Sequence, residues 1–162
     1  MSTLTIVATI AAIVCTALIG GIFFAFSNFV MKALERVPSS EGMLAMQTIN
    51  VTVLNRWFLG VFMGTAVVSL FLAIIAIVEW TSAYSPYLLG GAVSYIGGTW
   101  LVTAFGNVPL NDELAAVESE DPKSSKTWNH YLHRWTELNS RRTGAALLAA
   151  VLFSIALMKQ HA

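Results

Sequence analysis

Four residues in the last third of the chain recur at intervals that could assemble a binding site. Trp128, Trp135, Asn139 and Arg142 are spaced by seven, four and three residues, which puts them on one face of an α-helix. Tyr131 and Leu132 fill the gap between them. Indole rings stack on flat aromatics, an amide bonds to oxygen, and a guanidinium is a permanent cation with five N–H donors. On one stripe these groups suit a pocket for a flat, oxygen-bearing aromatic. The plainer reading is a packed helix face with a snorkelling arginine. Both readings stand on sequence alone.

More amides gather around the same part of the chain. Asn28, Asn50, Asn55, Arg56, Asn107 and Asn111 join Asn139 and Arg142 in flanking apolar runs. Asparagine beside an apolar run usually caps a helix, turns the chain or bonds a partner. Asn107 and Asn111 flank Pro109, so turn chemistry accounts for part of them. Asn28 and Asn139 fall within expected helices and have no such role. His130, His133 and Glu137 share a helix face at offsets of three and four, which raises a metal site. No further histidine is near enough to complete one. His161 lies about 42 Å from His133 at the helical rise of 1.5 Å per residue. That excludes a bis-histidine haem within the bundle. A solvated face is the default for this pair, with no metal and no cofactor. Histidine titrates near neutrality, so His130 or His133 could act as a general base.

The elements that must position these groups are membrane helices. Of 162 residues, 56 % are hydrophobic and 11 % charged, with a mean hydropathy of +0.68. Soluble domains carry about 25 % charged residues, and a chain this short cannot hide so much apolar surface in its own core. Spans of about 20 apolar residues are expected at 4–26, 57–78, 86–106 and 143–158. The first run lacks a basic start and is too long for a secretory signal. The fourth is slightly short, so its helix is expected to begin earlier, between Lys123 and Ser140. The whole chain, 1–162, reads as a single all-α domain, an integral membrane four-helix bundle with a polar helical cap on one side. In the cap, Ser39 or Ser40 is expected to start a helix, with Glu41 in its first turn. Pro109 is expected to break the third helix. Asn111 or Asp112 would cap a short helix reaching about Glu118, and Asp121-Pro122 would start the last.

Several function classes drop out. No span has a charged residue or a histidine in its middle, which argues against a proton- or ion-coupled transporter. No phosphate loop, nucleophile elbow or dinucleotide fingerprint occurs. No basic block points to nucleic acid. Cys15 stands alone, so there is no intrachain disulfide or dithiol chemistry. Basic residues concentrate in the long segments 27–56 and 107–142, which places these in the cytoplasm and both termini outside. Gly60 and Gly64, and the ridge Gly90, Ser94 and Gly98 continued by Gly106, read as packing between spans. A homodimer face is the alternative. Trp57, Trp80, Tyr84 and Tyr87 read as an interfacial belt.

Four segments carry a family likeness: F-F-A-F-S-N-F-V-M-K-A-L from Phe23 to Leu34, A-M-Q-T-I-N from Ala45 to Asn50, F-G-N-V-P-L-N-D-E-L from Phe105 to Leu114, and W-x-x-Y-L-x-R-W-T-x-L-N-x-x-R from Trp128 to Arg142. The chain resembles the anthrone oxygenase-like family of small four-span membrane proteins, over nearly its whole length. That resemblance implies oxidation of an anthrone to an anthraquinone by dioxygen, without an established cofactor. It implies a site made of Asn107, Asn111, Trp135, Asn139 and Arg142, with Trp135 stacked on the rings and Arg142 and the amides stabilising an anion. Expected partners are the lipid bilayer, a hydrophobic aromatic and dioxygen. The alternative function is a non-enzymatic membrane protein, an accessory subunit or small-molecule binder, whose amides and Arg142 only tie the cap together.

Overall fold

In the computed structural model, residues 1–118 and 124–160 are described, and among them five helices and no strand occur. Four helices are long and apolar enough to cross a membrane: α1 (Thr3–Glu35), α3 (Arg56–Val78), α4 (Ser85–Ala115) and α5 (Ser124–Met158). The fifth, α2 (Ser39–Thr52), belongs to the cap. Hydrocarbon offers no partner for a polar group, so a span must satisfy its own. The buried threonines do so. Thr9 donates to the Thr5 carbonyl at 2.7 Å and Thr16 to that of Ala12 at 2.7 Å.

Helix α1 packs on α5, α5 on α4, α4 on α3, and α3 closes the ring against α1. The bundle core joins Ile19, Phe23, Phe62, Leu72, Tyr95 and Phe153. A second core fills the cap, where Met31 of α1, Met43 and Met46 of α2 and Leu114 of α4 close around Trp128, Tyr131, Leu132 and Trp135 of α5. This is the all-α bundle with a cap at one end that the composition implied.

Glycine sets the closest approach. A Cβ on Gly98 would lie 2.5 Å from Cβ of Ala145, so α4 and α5 touch there with no room for a methyl group. Gly90 and Gly106 likewise face Leu152 and Leu138 of α5. Ser94, on the same ridge, donates to the Ala145 carbonyl at 2.8 Å. Gly60 and Gly64 differ: a Cβ on either meets nothing within 4 Å. Packing within the chain therefore accounts for the α4 ridge and not for this pair. Trp57 and Trp80 are exposed, as a belt requires. Tyr84 is buried and donates to Glu79, so it is a turn residue instead.

The sequence expectations fail mainly in the cap. Pro109 does not break α4. The turn before it, Thr103–Asn107, is π-wound, and the Val108 N–H bonds to the Thr103 carbonyl. The wider turn absorbs the proline ring, and the helix runs on to Ala115. Neither Asn111 nor Asp112 is then a cap. Helix α2 starts at Ser39 after Pro38 and has no side-chain cap. Asn55 does cap, accepting from the N–H groups of Trp57 and Phe58 at 3.0 and 3.1 Å. A π turn also interrupts α1 at Phe26–Val30, carrying it well past residue 26. The expected start at Asp121-Pro122, Lys123 and His161 lie outside the described residues.

Candidate functional site

A cavity of about 350 Å³ opens where the cap meets the bundle. Small-molecule sites span roughly 300–1,000 Å³. Its walls come from all five helices: Phe23 and Phe26 of α1, Met46 and Asn50 of α2, Phe58 and Phe62 of α3, Thr103, Asn111 and Asp112 of α4, and Trp135 and Arg142 of α5. The lining is mostly apolar and aromatic, with a few convergent polar groups.

Arg142 is 4 % exposed. Its Nη2 donates to Asn139 Oδ1 at 2.6 Å and its Nη1 to Thr103 Oγ1 at 3.1 Å. Nε has no partner. The guanidinium lies over the Phe23 ring at 4.1 Å and the Trp135 ring at 5.2 Å. Among the described residues the ion pairs are those of Arg134 and Arg141 with Glu137, on the outer face of α5. None reaches Arg142. A buried cation normally has a paired charge. Here amide, hydroxyl and aromatic faces stand in that place, on a residue that lines the cavity.

Asn139, fully buried, holds this cation. Its Oδ1 accepts from Arg142, while Nδ2 donates to the Phe23 carbonyl and to Ser27 Oγ, both at 2.6 Å. The π turn of α1 brings Ser27 to this position. Helix α1 is thus tied to α5 through the residue that orients Arg142. On the α4 side, the Thr99 hydroxyl donates to the Arg142 carbonyl at 3.2 Å.

A second network fixes Asn111. Its Oδ1 accepts from the Trp135 indole N–H at 2.9 Å and from the Tyr131 hydroxyl at 2.8 Å. An indole N–H can only donate, so the amide orientation is determined and Nδ2 remains its donor side. Tyr131 in turn accepts from Asn50 Nδ2 at 3.3 Å. Tyr131 stacks between Trp128 and Trp135, at centroid distances of 5.8 and 5.9 Å. The indole of Trp135 is held by this stack, by Phe26 at 5.9 Å and by its bond to Asn111.

The residues singled out from sequence divide into three groups. Asn111, Trp135 and Arg142 line the cavity. Asn139, Asn107 and Trp128 are buried behind it: Asn107 donates to the Trp135 carbonyl at 3.2 Å, and Trp128 is 1 % exposed in the cap core. Asn28, His130 and His133 are exposed and outside the cavity. His133 faces a separate, open groove between α1 and α5. Neither His130 nor His133, the bases the sequence suggested, lines this cavity, and a base must come within reach of the reacting proton. Among the described residues, no three His, Cys, Asp or Glu side chains come together as a metal site. Thr103 and Asp112 were not singled out for chemistry, and Phe23 and Phe62 read only as apolar span residues. The π turns shift the helical register, so even spacing on a wheel does not reveal Thr103. Asp112 is flagged only by its place next to Asn111.

The family model for anthrone oxygenase matches residues 54–152. That stretch contains α3, α4 and most of α5, and with them Thr103, Asn111, Asp112, Trp135, Asn139 and Arg142. No curated protein and no solved structure matches the chain. The match covers more than half of the sequence, and the chain belongs to the anthrone oxygenase family.

Proposed function

We propose that this member of the anthrone oxygenase family oxidises a flat, hydrophobic aromatic of the anthrone type with dioxygen, in the cavity beneath its cap. The observation that carries the reading is Arg142, a buried guanidinium with no carboxylate partner among the described residues, beside aromatic walls. An anthrone has a weakly acidic C–H because the anion left behind is an aromatic phenolate. A base takes the proton, and the charge moves to the oxygen across the middle ring. Preorganised donors stabilise such a developing charge strongly in a dry site. Arg142 and the Asn111 amide are donors among the residues that line the cavity. The anion then gives an electron to dioxygen, and a new C–O bond forms. Loss of water from the resulting hydroperoxide leaves the second carbonyl. The sum is one anthrone and one dioxygen to one anthraquinone and one water.

The chain sits in the bilayer as one domain, with the segments 27–56 and 107–142 in the cytoplasm and both termini outside. The cap and cavity then lie at the cytoplasmic end. A hydrophobic substrate reaches them from the membrane surface, past the exposed apolar residues Val51, Leu54 and Val108 that line the cavity. The experiment is oxygen uptake by the purified protein with an anthrone, against autoxidation without protein. Uptake above that control, matched mole for mole by quinone, supports the reading. Uptake equal to the control refutes it for anthrones and favours the binding-protein alternative.

A further inference from the structure

Resting on the oxygenase reading above, we propose that Asp112 is the base that removes the substrate's C–H proton. Of the residues lining the cavity, two have side chains that carry charge, Asp112 and Arg142. They stand on different helices, α4 and α5, and they do not pair within 4.0 Å. A carboxylate and a guanidinium that share one cavity without neutralising each other keep both functions available. The carboxylate can accept a proton, and the cation can receive negative charge. The reaction needs that division, since the proton leaves one carbon and the charge appears on an oxygen across the ring.

Position supports the assignment. Asp112 follows Asn111, whose amide is fixed by Trp135 and Tyr131. The π turn before Pro109 keeps α4 helical through both residues, so Asp112 is held on a regular element rather than a loop. Asp112 is exposed, whereas Arg142 is buried. The acid therefore stands at the mouth, where it can exchange protons with water between turnovers, and the cation stands at the inner end. His130 and His133 occupy the outer surface and reach neither.

The step balances. As the C–H bond breaks, an O–H bond forms on Asp112 and the electron pair enters the ring system. Dioxygen, the oxidant, takes those electrons and forms the new C–O bond. The peroxide is protonated from Asp112. The carboxylate so restored then accepts the second C–H proton as the O–O bond breaks and hydroxide leaves, giving the carbonyl. The hydroxide takes that proton from Asp112 to become water.

The test measures quinone formation by wild type, Asp112→Asn, Asp112→Ala and the double variant His130→Gln/His133→Gln, using an anthrone with and without deuterium at the reacting carbon. A general base contributes about 10²- to 10⁴-fold, so kcat of Asp112→Asn falls at least about 10²-fold. KM and thermal unfolding stay near wild type, and the deuterium isotope effect grows. Added formate restores part of the activity of Asp112→Ala, which a purely structural residue does not permit. The double histidine variant keeps wild-type kcat. Wild type no faster than autoxidation overturns the oxygenase reading, and the role of Asp112 with it. Active wild type with an unchanged Asp112→Asn overturns only Asp112. So does a slow Asp112→Ala that formate cannot rescue.

Discussion

Asn139→Ala removes the group that couples the bundle to the buried cation, and its cost can be worked out bond by bond. Three hydrogen bonds of 2.6 Å disappear: two donated by Nδ2, to the Phe23 carbonyl and Ser27 Oγ, and one accepted from Arg142. Interhelical side-chain bonds in membrane proteins average about 0.6 kcal/mol, so the first two together contribute about 1 kcal/mol. A bond to a charged group contributes about 1.5–3 kcal/mol. The sum is roughly 3–4 kcal/mol, dominated by the guanidinium. Asn139→Asp keeps an acceptor for Arg142 and loses both donors, so it should fall between wild type and Asn139→Ala. The assay is reversible unfolding of the purified protein in mixed micelles titrated with a denaturing detergent. A double-mutant cycle with Arg142→Met isolates the pair and should show a coupling of about 1–2 kcal/mol. An Asn139→Ala variant within about 0.5 kcal/mol of wild type, inside the scatter of ordinary surface changes, would refute the claim that Asn139 holds Arg142. Zero coupling in the cycle would refute it as directly.

Three further expectations follow from the packing and the networks. Gly98→Ala forces a methyl group into the 2.5 Å approach to Ala145 and should cost about 1–3 kcal/mol by overpacking; Gly60→Ala and Gly64→Ala, which meet open space, should leave monomer stability unchanged in the same titration. Asn111→Ala leaves the Trp135 indole N–H without its acceptor, costs about 1–3 kcal/mol, and should raise KM for the aromatic. Asn111→Leu, which restores bulk but no acceptor, should not recover that KM. For orientation, Thr81→Cys and Ser125→Cys are made in a Cys15→Ala background. A membrane-impermeant thiol reagent should label Thr81→Cys on intact cells and Ser125→Cys only after permeabilisation, and the reverse pattern would invert the topology.

The spans were legible because lipid makes a simple demand: about 20 apolar residues with every backbone group bonded inside the helix. Helix α3, expected over 57–78, occupies Arg56–Val78. The early start of α5 was also legible, since the stripe from Trp128 to Arg142 continues helically into the fourth span. The end of α4 was not. Pro109 ordinarily ends a helix, and nothing in the composition of Thr103–Asn107 announces the π turn that accommodates it. The same local effect explains the mixed reading of the site. The stripe correctly joined Trp135, Asn139 and Arg142, because regular α-helix relates them. It did not distinguish Arg142 and Trp135, which line the cavity, from Trp128, which fills the cap core. Asn28 lies in the π turn of α1, where register shifts, and it faces outward while Ser27 takes the inward position. His130 and His133 share a helix face as expected, yet that face is the exposed one. Spacing identifies a common face and leaves open which neighbour that face meets.

The most direct measurement of the central claim compares wild type, Arg142→Lys and Arg142→Met in anthrone-dependent quinone formation, each variant first checked for folding by its unfolding transition. Loss of a preorganised donor at a developing anion costs about 10²- to 10³-fold in kcat. The account predicts at least that loss for Arg142→Met, with partial activity in Arg142→Lys, whose ammonium keeps the charge but not the two-pronged geometry. A folded Arg142→Met that forms quinone as fast as wild type would contradict it.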